Sequence, residues 1–484
     1  HHAGGIGHFS LIQYSDAALI ANAIKDAVQT KKMPPWPPDP EYSTFAYERR
    51  LTQEQINTIV QWVDGGAPQG NPALAPPPPT YTTSYAIPNP DAIAQIPHYT
   101  VNTLNDLYRC FVIPLNLGPG NLYISELEVV PGNPSIVHHV LVFADDSNQP
   151  LQMDAQDPEP GYTSFGGTGS TSSKLIGGWV PGSSAFKYPQ GFGVKISGNT
   201  HIILQIHYPG GVSGEIDSTH IRLKFSSTSP TREVYINPVI NHVFSLTNGP
   251  LVIQPNEIKT FYAQFTTPNY EVTNLFVAPH MHLIGKSIVC WAVTPDQDSI
   301  PVIRINNWDF HWQGFYWHKK LMRVPPQTKI LAMAVYDNTS NNPNNPNNPP
   351  ALVHAGEGTT DEMLLIYFGS AIYMPGDENI VIEEEHSVGE ETVAFGDIIK
   401  SPQLYEPYPN PAISHLTVEG YLPQPSEATL TIRDLEGRIL SQHTLNLCMG
   451  LFTQNVDVSS LATGTYSISL ESMGTRRTKT FVKQ

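Results

Sequence analysis

Short runs of alternating apolar and polar residues dominate this chain from about residue 97 onward. Examples are CFVIPL, NLYISELEVV and HIILQIHY, followed further along by KTFYAQF, TNLFVAPHMHLI and DEMLLIYF. A period of two is typical of strands, and the Pro-Gly and Gly-Gly pairs between the runs predict turns. The pattern therefore predicts a mainly β chain with two consecutive, jelly-roll-like β-sandwich domains, residues 97–228 and 229–398.

The first 72 residues follow a helical pattern, because ALIANAIKDAVQT and TQEQINTIVQWVDGG space their apolar residues three and four apart. We expect Thr52 to cap the N-terminus of the second helix, and Gly65 and Gly66 to end it. Residues 73–96 contain PALAPPPPT, which predicts an extended, semi-rigid linker. We therefore expect a small α-helical domain ahead of the β domains.

The amino-acid composition disfavours some classes of binding partner. The 484 residues include 43 acidic and 26 basic side chains, a formal net charge of −17. This charge disfavours nucleic acid and anionic membranes as partners. No 18 consecutive apolar residues occur, so we expect no transmembrane helix. The chain begins at His1 with neither an initiator methionine nor a signal peptide, so we expect it to be a fragment of a longer protein.

Three cysteines lie in three different segments of the chain. With only Cys110, Cys290 and Cys448, at most one disulfide forms within the chain. A bond between Cys110 and Cys290 is one candidate pairing, and its geometry is not decided by sequence.

Three histidines in the first β stretch form a candidate metal site. His138 and His139 are adjacent in SIVHHVLVF, and His207 lies in ILQIHYPGG. Adjacent residues on a regular strand point to opposite faces, so His138 and His139 share a metal only if the strand is bulged or just beginning there. The alternative is one core and one surface histidine. His201 is about 20 Å from His207 along the predicted strand, which excludes a shared ion.

A second candidate site lies in the second β stretch. His280 and His282 are two residues apart in APHMHLIGK, so on a strand they project from the same face. Met363, in GEGTTDEMLLIYF, adds a thioether. Three imidazoles at one site, and two imidazoles with a soft sulfur at the other, suit copper cycling between its two oxidation states. The alternatives are two half-buried structural histidines and a core methionine.

The motifs HH, LQIHY, HMH and DEM, in this order, resemble the copper type II, ascorbate-dependent monooxygenases, the family of peptidylglycine α-hydroxylating and dopamine β-monooxygenases. The resemblance covers roughly residues 97–398 and includes DLYRC, GGWVPG, HLIGK and GEGTTDEM. It implies two coppers per chain. His138, His139 and His207 would hold the electron-transfer copper.

The same resemblance implies that His280, His282 and Met363 hold an oxygen-binding copper. Gln205, in the LQIHY motif, matches a residue placed between the two sites in the family. Tyr367 shares a strand face with Met363 if that strand is regular, which makes it a candidate pocket residue.

The N-terminal segments HHAGGIGHFSL, KKMPPWPPD and TQEQINTIVQWVDGGAP resemble the C-terminal portion of a small c-type cytochrome domain. The resemblance implies His1 and Met33 as the axial ligands of a haem. The two attachment cysteines are not in this sequence, so we expect no covalent haem on this chain, although a longer parent chain could carry haem c. The alternative is an ordinary helical cap.

Residues 402–484 contain YPNP, DLEGR, LATGTY and KTFVK, and they resemble the C-terminal sorting domain of type IX secretion. The resemblance implies a further β-sandwich, recognition by the type IX secretion machinery, and export to the cell surface or the extracellular space.

We therefore predict a secreted copper-dependent monooxygenase. It would hydroxylate a C–H bond of a small organic substrate with dioxygen and an external one-electron reductant, such as ascorbate or a redox protein. One alternative is a copper-binding electron-transfer or storage protein without hydroxylase activity, and another is a β-sandwich binding module with structural histidines. Oxygen consumption with ascorbate separates the first two, and copper stoichiometry separates both from the third.

Overall fold

The computed structural model describes residues 1, 9–75, 85–164, 166–227, 231–382, 402–404, 407, 410–422, 426–434, 437–447 and 450–484. The chain divides into two compact units, residues 1–385 and residues 386–484. The fold is mainly β with a few N-terminal helices, as the hydrophobic pattern predicts. None of the helices in the described ranges is long and apolar enough to cross a membrane.

The N-terminal helices are α1 Tyr14–Leu19, α2 Ala21–Gln29 and α3 Gln53–Asp64. Thr52 caps α3 as predicted: its side chain accepts the Gln55 N–H at 3.2 Å, and Gln55 Oε1 accepts the Thr52 N–H at 2.8 Å. The single helix expected over ALIANAIKDAVQT is instead two short ones. Ile20 leaves the helical dihedral angles between them, and α1 buries no residue that would fix its axis to that of α2.

The segment between α2 and α3 packs against the second β-sandwich. Pro38 and Phe45 form isolated β-bridges with Ile305 and His318. Asp39 also forms an ion pair with an arginine next to the first of these bridges. The N-terminal residues are therefore anchored on the second sandwich within the same compact unit.

The first sandwich contains one six-stranded sheet, in the order β1-β12-β4-β9-β13 with β8 paired to β4, and one five-stranded sheet, β6-β3-β10-β5-β7. A further pair, β11-β2, stands beside them, and helix α4, Gln149–Gln156, follows β5. The strands are β1 Ala92–Gln95, β2 Tyr99–Thr103, β3 Leu107–Pro114, β4 Asn121–Val130, β5 His139–Asp145, β6 Tyr162–Thr163, β7 Lys174–Trp179, β8 Phe186–Lys187, β9 Phe192–Ser197, β10 His201–Tyr208, β11 Val212–Asp217, β12 His220–Phe225 and β13 Arg232–Glu233.

Two of these strands cross the boundaries expected from the sequence. β1 lies inside the predicted linker, where Ala94 is fully buried against the first core and the strand pairs with β12. β13 lies inside the predicted second domain and pairs with β9 of the first. Both domain boundaries depend on pairing between strands that are distant in sequence. The local amino-acid composition gives no information about such pairing.

The second sandwich contains two four-stranded sheets, β14-β23-β17-β20 and β16-β21-β18-β19, with β15 paired to β22. Two 3₁₀ turns, Phe310–Trp312 and Asp377–Asn379, lie between strands. The strands are β14 Tyr235–Asn241, β15 Val252–Ile253, β16 Ile258–Thr266, β17 Val272–His280, β18 Gly285–Val293, β19 Ser299–Ile305, β20 Tyr316–Val324, β21 Lys329–Asp337, β22 Val353–His354 and β23 Leu365–Ile372.

The core of the first sandwich continues into the second. Phe276 on β17 and Trp317 on β20 belong to the same buried cluster as Phe186 on β8, with ring centroids 5.7 Å (Phe186 to Phe276) and 4.9 Å (Phe276 to Trp317) apart. An apolar junction of this kind holds two domains in a fixed arrangement. The two candidate metal sites therefore lie on one rigid framework.

The disulfide considered between Cys110 and Cys290 is not formed. Both are buried free thiols, Cys110 on β3 of the first sandwich and Cys290 on β18 of the second. They belong to two different buried clusters, so their side chains lie in separate parts of the core. Cys448 lies outside the described residues.

The C-terminal unit forms a smaller sandwich of two sheets, β24-β25-β28 and β27-β26-β29-β30, around its own apolar core. Its strands are β24 Gln403–Leu404, β25 His415–Leu422, β26 Ser426–Arg433, β27 Ile439–Leu447, β28 Gly450–Asp457, β29 Gly464–Ser472 and β30 Thr475–Lys483.

Candidate metal centres

Strand register assembles the first candidate site. On the five-stranded sheet, His207 of β10 lies directly opposite His139 of β5 on one side and Tyr108 of β3 on the other. Such directly opposed residues have neighbouring side chains. His138 precedes the first residue of β5, and its N–H donates to the His207 carbonyl at 2.9 Å. The strand thus begins at the histidine pair, which satisfies the condition set by their adjacency.

The three rings converge through their Nδ1 atoms. His138 Nδ1 is 3.3 Å from His139 Nδ1 and 3.1 Å from His207 Nδ1, and ligand atoms of all three lie within 4.8 Å of one another. In a tetrahedral site, imidazole nitrogens about 2.0–2.1 Å from the metal are roughly 3.3 Å apart. The nitrogen separations fit a shared metal ion.

Two groups from outside the ligand set support His207. Asp106 Oδ1 lies 3.3 Å from His207 Nε2, and Asp106 also accepts a hydrogen bond from Thr359 Oγ1. Tyr108 stacks on the His207 ring at 4.3 Å and donates its hydroxyl to the Glu357 carbonyl at 3.2 Å. The loop that contains Thr359 and Glu357 belongs to the second sandwich, so the second sandwich helps to hold the first site.

The second candidate site forms where strands end. β17 ends at His280, which lies opposite Leu365 of β23, and Met363 precedes that strand by two residues. His282 lies beyond the strand, so the regular strand expected through both histidines is wrong. A buried carboxylate, Glu362, accepts the His282 N–H at 2.8 Å in place of a strand partner. The two imidazole rings still lie 5.0 Å apart.

Hydrogen bonds fix which nitrogen of each second-site histidine is available. His280 Nδ1–H donates to Gln313 Oε1 at 2.5 Å, and the Gln313 amide is oriented because its Nε2 donates to the Phe310 carbonyl. His282 Nδ1–H donates to the Asp361 carbonyl at 3.1 Å. Both rings therefore have an unprotonated Nε2, the form in which imidazole binds a metal.

Glu362 ties the two halves of the second site together. Its side chain is fully buried, and it accepts N–H groups of His282, Ile284 and Met363 at 2.8, 2.9 and 3.2 Å. Burial raises the pKa of Glu362, whereas the backbone N–H groups that donate to both of its oxygens favour the ionised form. One carboxylate thus positions the turn that carries His282 relative to the loop that carries Met363.

Residues of both sites line one cavity of about 380 Å³. His139 reaches it from the first site, and His280, His282 and Met363 reach it from the second. Gln205 and Tyr367 also line it, as does Ala278, which lies opposite Tyr367 in the sheet. Gln205 Nε2 donates to the carbonyls of Ser164 and Gly167 at 3.1 and 2.7 Å, so its side chain is fixed at the cavity wall.

Phe310 lies between the two histidine groups. Its ring stacks on His138 at 5.0 Å and meets His282 edge-on at 5.7 Å. The segment from Phe310 to Gln313 thus contacts the first site through its ring and holds His280 of the second through its amide.

Burial favours the neutral form of four of the site histidines, two at each site. It lowers the pKa of His138 and of His280 to about 3 and that of His282 to about 4. The pKa of His139 is lowered well below its ordinary value for the same reason, with His207 and His138 adding to the shift. Neutral imidazoles are the form that copper requires.

The haem ligands implied for the N-terminal segment stay a prediction. His1 is exposed and stacks on Phe9 at 4.5 Å, whereas Met33 is partly buried after α2, where its N–H donates to Ala27.

Sequence reasoning did not single out the residues that support the sites. Asp106 and Tyr108 stand in or beside the DLYRC motif, and Glu362 stands inside DEM, so those motifs contained a signal. Phe310 and Gln313 lie in WDFHWQGF, which carried no metal-ligand spacing. Hydrogen bonds that cross between distant segments place them at the sites.

Three segments of the chain match models of known protein families. Residues 93–210 match the model of the copper type II ascorbate-dependent monooxygenase N-terminal domain, and residues 257–376 match that of the C-terminal domain. Residues 406–484 match the secretion system C-terminal sorting domain, which indicates export to the cell surface or the extracellular space.

Individual relatives are more distant. Dopamine beta-hydroxylase of Rattus norvegicus is 23% identical over 270 residues, covering 51% of this chain and 41% of that protein. Tyramine beta-hydroxylase of Caenorhabditis briggsae is 24% identical over 298 residues, covering 57% and 47%. The chain thus spans less than half the length of these two relatives. Among solved structures, PNGase F of Flavobacterium meningosepticum covers 61% of this chain and 98% of that one, with 8% identity and a TM-score of 0.24, which carries no argument.

The two matched monooxygenase segments contain both candidate metal sites, and the third matched segment is the separate C-terminal sandwich. The chain therefore carries the N-terminal and C-terminal domains of the copper type II ascorbate-dependent monooxygenases, followed by a secretion-system sorting domain.

Proposed function

We propose that this protein is an exported copper monooxygenase that hydroxylates a C–H bond of a small organic substrate. The observation that carries the proposal is the single cavity lined by His139 of the first site and by His280, His282 and Met363 of the second. A carrier or store of copper has no need of a cavity between its metal sites. A hydroxylase needs a substrate there.

Each site has its own role in the proposal. His138, His139 and His207 would hold a copper that passes electrons, because three imidazoles accommodate both oxidation states. His280, His282 and Met363 would hold the second, because a thioether favours Cu(I). When bound, copper supplies the one-electron redox chemistry that dioxygen requires. The overall reaction, RH + O₂ + 2 e⁻ + 2 H⁺ → ROH + H₂O, takes both electrons from a reductant such as ascorbate or a redox protein.

The protein's own groups prepare the site for this chemistry. Gln313 and the Asp361 carbonyl hold the second-site imidazoles in one tautomer, and Glu362 positions the loop of Met363. Apolar walls, among them Phe315 and Leu365, surround the substrate and exclude water. Apolar walls around a reacting centre reduce side reactions with water.

The test uses the copper-loaded chain, ascorbate and ¹⁸O₂, with a panel of small organic molecules as substrates. We expect oxygen uptake that depends on copper, and one ¹⁸O atom in the hydroxylated product. Two bound coppers without ¹⁸O in any product would favour electron transfer or storage instead. No bound copper would leave only a binding module.

A further inference from the structure

A second apolar depression adjoins the substrate cavity on the second sandwich. It has a volume of about 490 Å³, and we call it the apolar groove. Its apolar lining comes from the loop that follows β14 and from the residues around β15 and β22: Val243, Leu246, Pro250, Leu251, Val252 and Ala355.

The groove and the cavity share part of their wall. His242 and Val243 line both, whereas Leu246 lines the groove alone. The Leu364 N–H donates to His242 Nδ1 at 3.3 Å, which fixes this shared wall next to Met363. A molecule whose reacting end lies by Met363 therefore reaches the groove by crossing Val243.

The rim between the two spaces exposes apolar side chains. Val243, which lines both spaces, is 64% exposed. Phe244 follows it in the chain and lines neither space, but its side chain is 89% exposed, in a turn where the Phe244 N–H donates to the Asn241 carbonyl at 3.2 Å. When a ligand covers apolar side chains that are exposed to water beside a cavity, the burial of their surface favours binding.

The charges around both spaces limit the ligand. Among the described residues, no Lys, Arg, Asp or Glu lines the groove; the cavity is lined by one carboxyl group, that of Glu357, and by no Lys or Arg. A charged group placed in the groove would lose its hydration without gaining an ion pair. The ligand that fits both spaces is neutral and apolar over the part that leaves the cavity.

We propose that the apolar groove holds the distal part of the substrate, so that the substrate class is molecules whose distal part is an uncharged, extended aliphatic or aryl-alkyl tail. This inference rests on the proposed function, because it takes the reacting carbon to lie at the second site. The groove then acts as a subsite that selects by length and apolar character.

The experiment is calorimetric titration of the copper-loaded full chain with neutral phenylalkanols, from benzyl alcohol to 8-phenyl-1-octanol. In the unmodified chain, affinity should rise about fourfold for each added methylene once the tail reaches the groove. Leu246→Ser should abolish most of that rise while leaving benzyl alcohol binding unchanged. Phe244→Ser, at an exposed position that tolerates a polar residue, should weaken only the longest members a few-fold.

Leu19→Ser is the matched control, because Leu19 is 85% exposed on α1 and lines neither space. It should reproduce the unmodified series. An unchanged rise in both Leu246→Ser and Phe244→Ser, or no rise in the unmodified chain, would overturn the groove. Oxygen uptake with ascorbate is measured separately: a groove-dependent rise without oxygen uptake would contradict the proposed function and leave the groove in place.

Discussion

The two candidate metal sites are built in different ways. At the first, β-sheet register sets His207 opposite His139, and His138 stands at the start of the same strand. At the second, His280 ends a strand, and His282 and Met363 lie in irregular backbone held by one buried carboxylate. A site on a sheet is rigid, whereas a site on loops relies on the groups that support it.

The sites also differ in what they face. All three second-site residues line the cavity, whereas only His139 of the first does. This difference supports the proposed roles, in which the first site passes electrons and the second meets the substrate. Changes to single residues or to pH can therefore affect the two sites separately or together.

The largest expected effect comes from removing one histidine at each site. His207→Ala and His282→Ala should each lower the hydroxylation rate at least about 100-fold, because a ligand matters more than its supporting groups, whose loss costs 10–100-fold. Each variant should keep one copper per chain, and the two retained coppers should differ in their spectra. Metal analysis after dialysis measures this. If His207→Ala kept both coppers, the first site would be misassigned.

The groups that support the ligands should act on one site each. Glu362→Gln replaces one acceptor oxygen by an amide that faces backbone N–H donors, so copper affinity at the second site should fall about 10- to 100-fold. Asp106→Asn, the matched change at the first site, should weaken only the first copper. Competition with a Cu(I) chelator measures both affinities. Equal weakening of both sites by either variant would show that they are not separately supported.

The charge of the substrate should affect turnover through the second site and not through the first. No Lys or Arg among the described residues lines the cavity, and the residue two positions before the first histidine of the H-x-H pair is Ala278. A free carboxylate in the cavity would stay unpaired, so a glycine-extended peptide should show kcat/KM at least about tenfold below that of its neutral methyl ester. Faster turnover of the free acid would contradict the description of the cavity.

Acid should destabilise the folded chain through the buried histidines of both sites. The pKa values of His138 and His280 are near 3 in the folded chain and about 6.5 when unfolded. The unfolded chain therefore binds more protons below pH 6.5, and the free energy of unfolding should fall as pH decreases from there toward 3, by up to about 1.4 kcal/mol per pH unit for each imidazole.

Urea unfolding of the copper-free chain between pH 7.5 and 5 measures this slope. His311→Gln is a control, since the Asp309 side chain beside that exposed imidazole raises its pKa, and its removal should not make the chain less sensitive to acid. A stability that stays flat over this range would mean that the site histidines bind protons as readily in the folded chain as in the unfolded one.

The strand pattern could be predicted from the sequence because period-two alternation is local, and the HH and H-x-H spacings likewise pointed to the candidate ligand residues. The start of β5 at the histidine pair was stated as a condition and is met. The end of β17 at His280 could not be predicted, since it depends on Glu362, 80 residues away in sequence from His282. The contacts of Phe310 with both histidine groups depend likewise on how the two sandwiches meet.

Met363 gives the most direct test of the central claim, that the second site is a copper site facing the substrate. Met363→Ile keeps a similar volume, so the fold should lose no more than about 1 kcal/mol of stability. The measurement is the rate of ¹⁸O incorporation from ¹⁸O₂ by Met363→Ile with the first copper fully loaded. We expect Met363→Ile to be folded, with its first copper in place, and to hydroxylate no substrate. Full activity in this variant would make Met363 a core residue and contradict the assignment of the second site.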